Sequence, residues 1–92
     1  MNSQEIQARI LTPYHSVFSG CVELISVPGA QGEMTLLPGH APMIALLGPG
    51  TVSVVQNGSQ LSYRIPGGLI EAHHESVTIL AHTADRVPPP SS

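Results

Sequence analysis

The chain has 92 residues, enough for one domain with one small core, and 41% of them are apolar. Only 10% are charged, against about 25% in an ordinary soluble domain; there is no lysine, and the formal net charge is −3. Three scattered arginines (Arg9, Arg64, Arg86) offer no basic stripe for nucleic acid, the single Cys21 cannot form an intrachain disulfide, and no run reaches the ~18 apolar residues of a membrane-crossing helix.

The start, MNSQEIQARIL, lacks the basic and then continuously apolar stretch of a signal peptide, so a soluble, intracellular protein is expected. From Glu5 to Leu11 apolar and polar residues alternate, which predicts a half-buried strand with Ile6, Ala8 and Ile10 inward. Ser19-Gly20 reads as a turn leading into a strand from Cys21 to Val27, with Val22 and Leu24 opposite Ile25 and Val27 and with Cys21 as a small buried hydrophobe. Gly29 to Glu33 reads as an exposed loop. Met34–Leu37 and Met43–Leu47 are short apolar runs closed by Pro38-Gly39 and Gly48-Pro49-Gly50.

Asn57-Gly58, between Thr51–Gln56 and Ser59–Ile65, is the favoured type I′ hairpin turn because both central residues need positive φ. A last hairpin is expected from Leu69–His73 and Val77–Ala81. Punctuation alone marks roughly eight or nine strands, hence an all-β sandwich or barrel. After Arg86 the chain reads Val-Pro-Pro-Pro-Ser-Ser, so residues 1–86 are expected to form the domain and 87–92 a disordered Pro/Ser tail.

No catalytic constellation is legible. His73 and His74 are adjacent and would diverge on a strand, while His82 lies too far along the return strand to join them. His15 and His40 stand in separate loops without a carboxylate or cysteine at ligand spacing, and the His73-His74-Glu75 spacing does not fit a cupin-type metal motif. Gly-x-Ser-x-Gly, Gly-x-Gly-x-x-Gly and Walker sequences are absent. No catalytic residue, metal site or cofactor is therefore expected.

What is distinctive is a series of Gly/Pro loops in a fixed order. Phe18-Ser19-Gly20-Cys21-Val22-Glu23, then Pro28 to Met34, then Leu36-Leu37-Pro38-Gly39-His40-Ala41-Pro42 resemble successive landmarks of the epsilon subunits of F-type ATP synthases. Pro49-Gly50, Gly67-Gly68-Leu69-Ile70-Glu71 and Val77 to Ala84 follow in the same order, so the resemblance spans residues 5 to 86.

The resemblance implies a flattened β-sandwich of about ten strands that binds the gamma subunit, sits on the c ring and transmits torque without catalysing anything itself. The location it implies is peripheral to the membrane, on the side of the catalytic head, which is cytoplasmic in bacteria. It places Gln31, Gly32 and Glu33 against the c-ring loops and His40, Ala41, Pro42 and Met43 against gamma. Pro66 stands where relatives usually carry serine, Gln31 where they often carry an acid, and His82 where they usually carry aspartate.

The helical hairpin that follows this domain in many relatives, and that restrains hydrolysis or binds ATP there, has no counterpart in these residues. The low charge then fits a surface covered by partners, although a Ser- and Gln-rich surface would also stay dissolved. A stand-alone β-sandwich adaptor or ligand-binding module is the alternative expectation.

Overall fold

The computed structural model describes residues 5–88. Ten strands follow one another: β1 (Ile6–Leu11), β2 (Ser16–Val22), β3 (Leu24–Gly29), β4 (Gly32–Leu36), β5 (Met43–Leu47), β6 (Gly50–Gln56), β7 (Ser59–Ile65), β8 (Gly68–Ala72), β9 (Ser76–Leu80) and β10 (Asp85–Val87). They pair into one curled sheet whose halves, β4-β3-β6-β7-β10 and β5-β8-β9-β1-β2, join where Gly29 of β3 meets Leu47 of β5. All pairs are antiparallel except β1 with β9. The result is a β-sandwich.

The alternation read from the sequence decides which side chains fill it. Ile6, Ala8 and Ile10 of β1, Val52 and Val54 of β6, and Val77 and Ile79 of β9 are fully buried. The largest fully buried side chains are all isoleucine or valine, whose branched Cβ limits them to few rotamers on a pleated surface. The hairpin at Asn57-Gly58 forms as its sequence requires, with φ of 53° and 79°, and pairs Val52 with Tyr63 and Val54 with Leu61.

The structure corrects three details. Ser19-Gly20 is not a turn: β2 runs through it, and the chain bends instead at Glu23, between β2 and β3. That bend puts Val22 on the buried side with Ile25 and Val27, and leaves Cys21 exposed, its thiol donating to Gln7 Oε1 at 3.3 Å. A one-residue bend is invisible to a period-2 reading, which carries one phase straight through it. Last, Val87 belongs to β10, which pairs with β7 through Asp85–Arg64, Arg86–Tyr63 and Val87–Ser62; positions 89–92 lie outside the described residues.

Glu23 closes the side of the sandwich opposite the Gly29–Leu47 junction. Its amide donates to Val55 O at 2.8 Å, and its carboxylate accepts from the Asn57 amide at 3.0 Å. Gln56 Nε2 donates to Cys21 O at 3.1 Å, in space that a Cβ at Gly20 would invade at 2.8 Å. Hydrogen bonds to a charged acceptor are stronger than neutral ones, but this one is exposed, so Glu23→Ala is expected to cost about 1 kcal/mol. A urea denaturation midpoint lowered at unchanged m-value checks this; an unmoved midpoint would remove Glu23 from the closure.

Candidate functional site

The two outer faces of the sandwich differ in chemistry. On the β4-β3-β6-β7 half, cross-strand register lines up Thr35, Ser26, Ser53 and Ser62. Their hydroxyls pair at 3.2 Å (Ser26 with Thr35) and 2.9 Å (Ser53 with Ser62). On the β5-β8-β9-β1 half the corresponding row is Leu46, Leu69, Leu80 and Leu11. Leu46 is 67% and Leu80 43% exposed, and Ile44, next outward along β5, is 70% exposed. Beside this row runs a polar one: Ile44 is paired with Glu71, Glu71 with Thr78, and Thr78 with Arg9. Arg9 donates to Thr78 Oγ1 at 3.2 Å.

An open concavity lies at each end of the leucine row. One, of about 480 Å³, is lined by Leu11, Thr12, Pro13, Leu69, Leu80 and His82, among others. Thr12 Oγ1 accepts from the Tyr14 and His15 amides there, knotting the β1–β2 turn, and the Tyr14 ring meets that of His82 edge-on. The other, of about 470 Å³, is lined by Gly29 to Met34 together with Ala45 and Leu46. The structure thus brings the tight turn at Ala30-Gln31 against β5, a contact held by hydrogen bonds from Ala30 N to Leu46 O (3.1 Å) and Gly48 N to Pro28 O (2.8 Å).

Gln31, Gly32 and Glu33 are all exposed on this turn and the first residues of β4, with Glu33 opposite Pro28. Of the second predicted set, Ala41 and Pro42 are exposed. Met43 packs against the core, and His40 is half-buried with its ring turned onto its own turn.

The leucine row escaped sequence reasoning. Each member is an ordinary apolar residue of an ordinary strand, and only register between strands far apart in the chain, Leu11 with Leu80 above all, assembles them.

His73 and His74 sit in the exposed β8–β9 turn, where His73 Nε2 lies 3.1 Å from Glu71 Oε2. Among the described residues no three His, Cys, Asp or Glu side chains converge to hold a metal ion. No helix is long and apolar enough to cross a membrane among those residues.

The arrangement defines a class: a small two-faced β-sandwich, one outer face carrying a row of hydroxyls and the other a row of leucines. Over residues 5–87 the chain matches the family described as ATP synthase, Delta/Epsilon chain, beta-sandwich domain, and it belongs to that family. Among curated relatives, the ATP synthase epsilon chain of Legionella pneumophila strain Lens is 44% identical over 78 residues, covering 84% of this chain and 56% of the relative. That of Acinetobacter baumannii strain ATCC 17978 is 39% identical over 82 residues, covering 88% and 59%. The chain therefore spans little more than half the length of these relatives.

The fold is shared with a chain of the Euglena gracilis mitochondrial ATP synthase (TM-score 0.85, 24% identity, 90% of this chain and 54% of that one). It is shared too with a chain from the central stalk and c ring of the Tetrahymena thermophila enzyme (TM-score 0.69, 15% identity, 91% and 68%).

Proposed function

We propose that this chain is a central-stalk subunit of an F-type ATP synthase, and that its sandwich fastens the gamma subunit to the c ring so that ion-driven rotation becomes torque. The observation that carries the reading is the outward leucine row, exposed at Leu46 and Leu80, beside exposed Ile44 on a chain with 10% charged residues. A contiguous apolar strip of this kind is what a protein partner covers, and burying a leucine side chain contributes roughly 1.5–3 kcal/mol. Gamma is assigned to this face, meeting the row together with Leu37, Ala41 and Pro42. The segment His40 to Met43 supplies the backbone that leads into it.

The Gln31-Gly32-Glu33 turn is assigned to the c ring. It adjoins the gamma face through the shared concavity at Leu46, as a subunit bridging two partners requires. Glu33 is an exposed acid there, able to pair with a basic side chain of a c-ring loop. Such a rim pair fixes register more than it adds affinity. No catalytic role and no cofactor is assigned, and the location proposed is peripheral to the membrane, beside the catalytic head.

Size-exclusion chromatography with the cognate gamma subunit tests the reading. Stoichiometric co-elution is expected, and separate elution of a folded chain and an intact gamma would overturn it in favour of a stand-alone adaptor. For the c-ring side, Glu33→Arg is expected to lower ATP-driven ion pumping of the assembled enzyme severalfold while leaving the thermal midpoint of the chain unchanged. Undiminished pumping would take Glu33 out of the interface.

A further inference from the structure

The turn Leu37–Pro38–Gly39–His40 is fixed by two hydrogen bonds to one carbonyl. The His40 amide donates to Leu37 O at 3.1 Å, and ring Nδ1 lies 3.0 Å from the same oxygen. Proline presets the first central φ, and Gly39 takes the positive φ, 85°, that the second central position of a type II turn demands. A carbonyl oxygen only accepts, so Nδ1 carries a proton, and in the neutral ring Nε2 is then a bare lone pair. That nitrogen is covered by the chain and has no hydrogen-bond partner within it. A histidine meant to be read by another molecule would offer its outer nitrogen at the surface. The polar ends of this ring are instead one turned inward and one enclosed.

What the turn presents outward is Leu37, 55% exposed, then exposed Ala41 and Pro42, and then Ile44 at the head of the apolar face. We infer that His40 is a positioning residue: its imidazole staples the Leu37–His40 turn, and so sets the direction in which Leu37, Ala41, Pro42 and the start of β5 meet gamma. The inference rests on the gamma-docking role proposed above and deepens it. It moves His40 out of the set of residues that touch gamma.

Asparagine separates the two roles. Its Nδ2–H branches from Cγ as histidine Nδ1 does and reaches the same carbonyl, but it has no counterpart of Nε2. His40→Ala and His40→Leu lose the staple, and each is expected to weaken gamma binding about fivefold, which is one neutral hydrogen bond converted to affinity. His40→Asn is expected to stay within about twofold of the unmodified chain. Amide hydrogen exchange at position 40, followed by NMR in the unbound chain, is expected to speed up in the alanine and leucine variants and to be restored in the asparagine one.

An asparagine variant that binds as poorly as the alanine variant would overturn the positioning role, because gamma would then be reading the ring itself. Exchange unchanged in both alanine and leucine variants would show that there is no staple. Should the unmodified chain fail to bind gamma at all, the docking role falls, and His40's part in it falls too; the exchange data would still report on the turn by itself.

Discussion

Leu46→Glu is expected to abolish co-elution with gamma while leaving the chain folded. Leu46 is 67% exposed in the free chain, so a carboxylate there is solvated and costs the fold little; surface substitutions away from special features stay within about 0.5 kcal/mol. In the complex the same side chain would be enclosed between Leu69 and the partner, while Arg9 on this face lies three strands away on β1 and is engaged with Thr78. An uncompensated buried charge costs roughly 3–5 kcal/mol, which at about 1.4 kcal/mol per decade is a loss of at least about 100-fold in affinity.

A control belongs on the opposite face, where Gln60 is exposed on β7. Gln60→Glu adds the same charge to the same molecule and is expected to leave binding within about twofold. If Leu46→Glu still co-elutes stoichiometrically, the leucine row is not the gamma surface. If both variants lose binding, net charge rather than the row is responsible.

The second large effect is a pair of neighbours with opposite fates. Ile70 and Leu69 are adjacent on β8, yet Ile70 is fully buried and Leu69 stands in the outer row. Ile70→Ala removes three carbon atoms from a close-packed interior, at a cost of about 2–5 kcal/mol. A domain of this size has only about 5–10 kcal/mol in total, and each kcal/mol moves the midpoint by about 4–8 °C. The thermal midpoint is therefore expected to fall by at least about 8 °C.

Leu69→Ala is expected to cost the fold less than about 1 kcal/mol and to weaken gamma binding measurably. Calorimetry of both variants, read beside their gamma affinities, checks the contrast. Equal destabilisation by the two would mean that Leu69 serves the fold and not the face.

The pair also marks how far local sequence reaches. Alternation told which residues of each strand share a side, because the pleat repeats every two residues and needs no partner to do so. It did not tell whether the outward leucine of one strand would meet a leucine or a serine on the next. The first predicted set, Gln31 to Glu33, was legible as an exposed Gly-rich turn, since glycine and polar residues mark turns locally. Of the second, His40 was legible as a member of a loop but not as the residue that fastens it: the orientation of a ring about its χ angles depends on what the turn brings within reach, here the carbonyl of Leu37.

By itself the sequence determined an all-β chain, its hairpin at Asn57-Gly58, the inward face of its first strand and, through its ordered Gly/Pro landmarks, its family. These are properties of short stretches, where backbone sterics and a two-residue repeat act without reference to the rest of the molecule. The tertiary structure decided the side taken by Cys21, by way of the bend at Glu23. It added Asp85–Val87 as a strand, because β7 offers that segment an edge to pair with. It also divided the surface into one hydroxylated and one apolar face, because register between β1 and β9, 69 residues apart at Leu11 and Leu80, is fixed only when the whole core packs at once.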